Sequence, residues 1–331
     1  MSASSGAAQR FGPSARAALA LICVLALAAA STPGLRSLEI RDGRVFGALV
    51  DIGFRSVPTM LCALGMTFVI GTRGVDLSVG SVASIASVVA ALGVRADATS
   101  VASSLALALT CGVALGLFNG LLVARLALQP ILATLVLFTA GRGLAQMASD
   151  GNVLAFDAPG FAALASSTLL GLPNPLWIAL VALGVLVVVA TRTAFGLYVQ
   201  ALGDNPRAAR LAGLPVTALT LSVYGLSGAC AALAGALVAA DVRAADASST
   251  GLYFELDAIL ATVIGGTSLQ GGRMHLVGSA CGALLLQTLT TTAAMHGAAT
   301  EGALLIKAVA VLAVCAAQSG KLRASPTGAR A

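Results

Sequence analysis

Long apolar runs separated by short polar breaks dominate this chain. They cover about 16–32, 57–72, 77–94, 100–124, 130–148, 176–191, 214–240, 255–268, 276–296 and 302–318. The runs are continuous rather than alternating, so they predict helices and not the period-two strands of a barrel. Several are shorter than the roughly 20 residues that cross a bilayer, and glycines interrupt the short ones. The pattern predicts an all-α, polytopic helical membrane protein with about ten transmembrane helices and broken helices in both halves. The expected organisation is a tail at 1–15, a transmembrane domain at 16–318 and a tail at 319–331.

One polar interlude, residues 192–213, stands out between two apolar runs. Phe195, Tyr198, Val199 and Leu202 recur at i, i+3, i+4 and i+7 and make one apolar stripe. After them Asn205 fits an N-cap, Pro206 the first helical position and Gly213 the stop. The signals predict two short helices with a sharp break between them, a cationic surface suited to docking rather than a plain solvated loop.

Composition agrees with a membrane chain. Hydrophobic residues make up 58%, charged residues only 10%, and mean hydropathy is +0.96. Apolar residues plus glycine reach about 69%, against about half in a soluble domain. The net charge is +6 and aromatics are 4%, with no basic patch interleaved with them, so nucleic-acid binding is not expected. The cysteines Cys23, Cys62, Cys111, Cys230, Cys281 and Cys315 are scattered in or beside apolar runs and form no CxxC. They read as small buried hydrophobes. With His275 and His296 the only histidines, no metal site or cofactor is expected.

The first run poses a choice. Arg16, an apolar stretch and Ala28–Ala30 resemble a secretory signal peptide, but a chain with many further spans has little need of a removable one. An uncleaved span is the better reading. With ten spans and the N-terminus inside, eleven basic residues face inward: Arg10, Arg16, Arg73, Arg125, Arg192, Arg207, Arg210, Arg273, Lys321, Arg323 and Arg330. Seven face outward: Arg36, Arg41, Arg44, Arg55, Arg95, Arg142 and Arg243. This bias places both termini and the 192–213 loop in the cytoplasm.

Two glycine-rich breaks invite attention. In the first, residues 71–80, a span stops and restarts around Gly74, Asp76, Ser78 and Gly80. The glycines let the backbone unwind, and Asp76 or Ser78 can cap the next helix. Asp76 is expected either to cap a helix at the membrane surface or to help shape a gate. The second break, Gly265, Gly266, Thr267 and Ser268 through Arg273, invites the same two readings. Thr67–Gly71 and Thr262–Gly265 echo one another, as related halves of a transporter do. Few charges are expected in mid-membrane: Lys307 is read as snorkelling, and Glu255 and Asp257 as interfacial. Asn119, Gln129, Thr134, Gln146 and Gln287, with Phe118 and Phe138, are the polar and aromatic positions that could face a solute path. No nucleotide site is visible, because Cys315 and Leu322 deny Gly320–Lys321 the phosphate-loop pattern. Uphill transport would need a coupled ion or a borrowed ATPase.

The motifs resemble a known family. Gly65–Ile70 with Gly74–Ser81, Asn119–Val123, Gln129–Leu135, Gly141–Ala145, Phe195–Tyr198, Gly203–Gly213 and Glu255–Arg273 occur in order like the signature of ribose-type sugar ABC transporter permeases. The match runs over about 42–318. A finer resemblance, in Asp42–Gly47, Ala140–Gln146 and Val238–Ala247, is to permeases assigned to galactofuranose import in enteric bacteria. The resemblance implies an inner-membrane complex of two permease subunits, a cytoplasmic ATP-binding subunit and a periplasmic sugar-binding protein. Residues 192–213 would be the coupling loop, with Asp204, Asn205, Arg207, Arg210 and Gly213 at the ATPase contact. Gly74, Asp76, Ser78, Gly80, Gly265, Gly266, Thr267 and Ser268 would belong to the gate or translocation path. The chain departs from the pattern twice: Arg73 and Asp204 stand where glycines are common.

Overall fold

The apolar runs fold into a helical bundle. The computed structural model describes residues 13–32, 34, 38–41, 43–96, 101–297 and, in the last segment, 302, 304–309 and 312. The predicted span 302–318 and the tails 1–15 and 319–331 lie wholly or largely outside the described residues. Twelve described helices follow one another: α1 (Pro13–Ser31), α2 (Ala48–Gly71), α3 (Val79–Arg95), α4 (Val101–Ala124), α5 (Pro130–Ala148), α6 (Pro159–Ser166), α7 (Asn174–Arg192), α8 (Ala194–Asp204), α9 (Pro206–Leu211), α10 (Val216–Val242), α11 (Phe254–Ile264) and α12 (Leu276–Met295). The only described strands are short: hairpin β1–β2 (Leu38–Arg41 with Arg44–Gly47), the pair Leu154–Ala155 with Ala244–Ala245, and the pair Thr168–Leu169 with Leu172–Pro173.

Six helices, α2, α4, α5, α7, α10 and α12, are long and apolar enough to cross a membrane. The others explain the short runs in the sequence. With 11 residues, α11 reaches only about 17 Å, well short of a bilayer core of about 30 Å.

The centre of the bundle is α10, packed against α4, α2 and α3, while α12 closes on α2, α11 and α1. Most of α2 and α10 is buried within the chain, which is what a helix apolar all round requires. By contrast, α4, α5 and α7 leave Leu117, Val136, Val181 and Val185 exposed, an outer face suited to hydrocarbon. Small residues set the close approaches. A Cβ on Gly65 would strike the Ser227 backbone of α10, and one on Gly228 would strike Gly112 of α4. Cys62 and Cys230 are buried in this α2–α10 core, Cys111 and Cys281 are partly covered and Cys23 is exposed.

Candidate functional site

At one end of the bundle, α8 and α9 form the predicted helix pair. The Asn205 side chain caps α9 as its position requires, with Oδ1 accepting from the Arg207 and Ala208 amides at 3.1 Å each. Pro206 opens the helix, and Gly213, at φ 78°, follows its end. The inward face of α8 is Phe195, Val199 and Leu202, with Phe195 against Phe68 of α2 at 6.0 Å between ring centroids. Tyr198 sits at the edge of that stripe, 36% exposed. The outward face carries Arg207, Arg210 and Leu211, the last 90% exposed.

The first break is held from inside the bundle. Asp76 is 1% exposed. Its Oδ1 accepts from the Ser78 amide at 3.0 Å and the Ser78 hydroxyl at 2.7 Å, and its Oδ2 accepts from Ser227 of α10 at 2.8 Å. The Ser78 oxygen in turn accepts from Asn119 Nδ2 of α4 at 2.7 Å. Asp76 thus serves the start of α3, as a capping residue would, but from a buried position and not at a surface. Ser78, the residue before α3, makes no side-chain cap of its own. Because Ser227 stands eleven residues along α10, this carboxylate lies about 17 Å from that helix's start. Around it, Thr134 of α5 meets the Leu77 amide at 3.1 Å, and the Tyr224 hydroxyl fills the space beside Gly74. Asn119 and Thr134 are therefore bound into the break and do not face a cavity. Gly80 packs directly on the Gly251 carbonyl and the Glu255 carboxylate.

The second break is made mostly of backbone. Gly265 lies against Gly278 so closely that a Cβ on either would overlap main chain. Gly266, at φ 91°, makes the turn. The buried Thr267 hydroxyl accepts from the His275 amide at 3.1 Å, and the exposed Ser268 hydroxyl accepts from the Gln270 amide at 3.2 Å.

These pieces meet at one junction. The Gly272 amide donates to the Gly71 carbonyl at 3.0 Å, joining the two breaks. The Arg73 guanidinium donates to the carbonyls of Gly203 and Asp204, satisfying the last acceptors of α8. Arg73 adopts φ 66°, a conformation that favours glycine, and the Asp204 carboxylate lies against Gly272. The two departures from the family-like pattern thus fall on the same junction. Below it opens a cavity of about 910 Å³, walled by Thr72, Gly74, Arg210, Thr217 and Tyr224.

Three charged positions gain surroundings that the sequence did not show. Lys307 Nζ binds both Asp257 oxygens at 2.9 and 3.0 Å. Glu255 is 6% exposed, with Oε2 lacking a hydrogen-bond partner. With Asp76 it makes a second carboxylate buried within the chain. Ser227, Tyr224 and Arg73 were not picked out as partners of these groups. Serine and tyrosine in an apolar helix carry no signal until the fold supplies the other half of the bond.

The architecture is that of a multi-pass helical membrane protein, and comparison gives its class. A family model described as "Branched-chain amino acid transport system / permease component" matches residues 48–315. The chain belongs to this family of transport permease components. It is 43% identical over 312 residues to the galactofuranose transporter permease protein YtfT of Escherichia coli K12, covering 94% of this chain and 91% of that protein. It is 37% identical to the fructose import permease protein FruF of Bifidobacterium longum, over 86% of this chain and 81% of the relative. Identity to the ribose import permease protein RbsC of Escherichia coli K12 is 34%, over 89% and 90%. No solved structure matches the chain.

Proposed function

We propose that this chain is the permease subunit of an ATP-driven, binding-protein-dependent importer that carries a monosaccharide across the bacterial inner membrane, with galactofuranose the leading candidate. The observation that carries the reading is the α8–α9 pair: a capped, arginine-bearing surface with Leu211 projecting from it, bonded through Arg73 to the break that holds Asp76. The similar permeases named for galactofuranose, fructose and ribose supply the solute class.

In this reading α8–α9 faces the cytoplasm, with both termini on the same side, and Asp204, Asn205, Arg207, Arg210 and Gly213 meet a separate ATP-binding subunit. Closure of that subunit pushes the helix pair, and the junction passes the displacement to both breaks. Gly74, Asp76, Ser78 and Gly80 form one side of the gate and Gly265, Gly266, Thr267 and Ser268 the other. The 910 Å³ cavity is the inward mouth, closed above by Tyr224. A second permease subunit and a periplasmic sugar-binding protein complete the complex.

The buried Asp76 and Glu255 favour a second reading, an ion-coupled carrier, since intramembrane carboxylates commonly serve ion pathways. One experiment separates the two. Proteoliposomes holding the chain, its ATPase and its binding protein should take up labelled sugar only when ATP reaches the ATPase. In them Asn205→Asp and Arg207→Glu should each cut uptake at least tenfold at normal membrane abundance. Uptake by the chain alone under an ion gradient would establish the carrier instead.

A further inference from the structure

At the end of the bundle opposite α8–α9, two cavities of about 260 Å³ each adjoin. Both are bounded by Phe54 of α2 and Asp241 of α10. The deeper one is completed by Arg55, Pro58 and Gln287 of α12, and the outer one by Asp51 and the β2 strand. Asp241 lies within electrostatic reach of both Arg55 and Asp51. Farther along α2, Leu61 and Leu64 are completely buried in the apolar core. The crevice is an open recess in which a few polar side chains stand among apolar walls, above the apolar core. Across that core, along the same two helices α2 and α10, lies the 910 Å³ cavity of the other end.

The lining chemistry is selective. A carboxylate accepts two hydrogen bonds from neighbouring hydroxyls, a guanidinium donates several, and an amide does both. Gln287 already donates from Nε2 to Thr291 at 3.1 Å, which fixes its amide at the cavity wall. Pro58 has no N–H, so the Phe54 carbonyl one turn earlier loses its helical donor and stays available as an acceptor. The Phe54 ring, Val57, Pro175, Leu237 and Val238 supply the apolar walls. Charges of both signs beside each other suit a neutral ligand rich in hydroxyls better than an anion or a cation. The volume lies just under the range of about 300–1,000 Å³ typical of drug-sized ligands, which suits a single small polyol.

We infer that Phe54, Arg55, Asp241 and Gln287 form an outer subsite that receives one neutral monosaccharide before the α2–α10 core opens. This rests on the importer reading, which fixes the crevice as the periplasmic side. Gln287 is the one of the proposed four that the sequence had already marked as a possible path residue. Phe54 and Arg55 are neighbours on α2, and Asp241 joins them only through the packing of α2 on α10.

The test uses the whole transporter, with D-galactose as probe. In proteoliposomes, Asp241→Asn and Gln287→Leu should each lower the sugar delivered per ATP hydrolysed at least fivefold. A Phe54→Trp variant of the purified permease, read against the fluorescence of the single native Trp177, should respond saturably to D-galactose. Unchanged delivery per ATP, with no fluorescence response, would overturn the subsite while leaving the importer intact. Uptake and ATP hydrolysis falling together in constant ratio would overturn it too, marking the crevice as a binding-protein contact. If the unaltered complex moves no sugar on ATP, the importer reading itself fails.

Discussion

The two breaks look alike in sequence and differ in how they are held. Residues 72–78 are closed by buried side chains: Asp76 gathers Ser78 and Ser227, and Asn119 adds a fourth link. Residues 265–275 are closed by glycine backbones in contact, with Thr267 the main buried polar tie. A buried hydrogen-bonded carboxylate is all-or-none, because breaking one bond leaves a costly unpaired group behind. Stacked glycine backbones slide more gradually. Under the importer reading, the first break would serve as a lock and the second as a hinge, and the Gly272–Gly71 bond joins them.

The largest effect should come from the lock. Asp76→Leu strands two hydroxyls and an amide in the core and should cost roughly 3–9 kcal/mol, at about 1–3 kcal/mol for each buried group left unpaired. Asp76→Asn should cost about half as much, because the amide oxygen still serves Ser78 and the Ser227 hydroxyl can turn to accept. Thermal unfolding of the purified protein, followed at Trp177, reads both, and equal losses would show that Asp76 is not a hydrogen-bond centre.

Next comes the hinge. Gly265→Val drives a branched side chain into the Gly278 backbone and should cost about 2–3 kcal/mol. A cost larger than that of Asp76→Leu would reverse the ranking of the two breaks. At the junction, Arg73→Gly removes two hydrogen bonds but relieves a left-handed residue of about 1–2 kcal/mol. Net stability should move by less than about 1 kcal/mol, while amide exchange at the end of α8 accelerates.

The smallest effect lies away from both breaks. The Ser248 and Ser249 hydroxyls donate to Asp246 and hold its pKa below the usual carboxylate range. A lowered folded value means the loop's added stability is present above the unfolded pKa, about 3.9, and lost as the pH falls through the lower folded value. Protection of the Ser248 amide, which bonds Asp246 at 2.8 Å, relative to its intrinsic exchange rate should fall in that acidic window only.

The sequence exposed the scaffold and only part of the machinery. Spans, breaks and the α8–α9 caps were legible because helix periodicity, Asn–Pro and glycine act locally. The placement of Asp76 was half legible: the cap was visible, the depth was not, since depth depends on where Ser227 and Asn119 arrive. The ion pair of Lys307 was invisible because its partner, Asp257, lies 50 residues away. Arg73 and Asp204 stood out one at a time against a glycine pattern. Nothing in the linear order revealed that both belong to one junction.

The burial of Cys62 and Cys230 on either side of the α2–α10 contact has a practical meaning. Among the described cysteines, a membrane-permeant thiol reagent meets the exposed Cys23 first and the partly covered Cys111 and Cys281 more slowly. It can reach the other two only while these helices stand apart. The native chain thus contains its own chronometer, in which the slow phase of labelling counts the time that the core spends open.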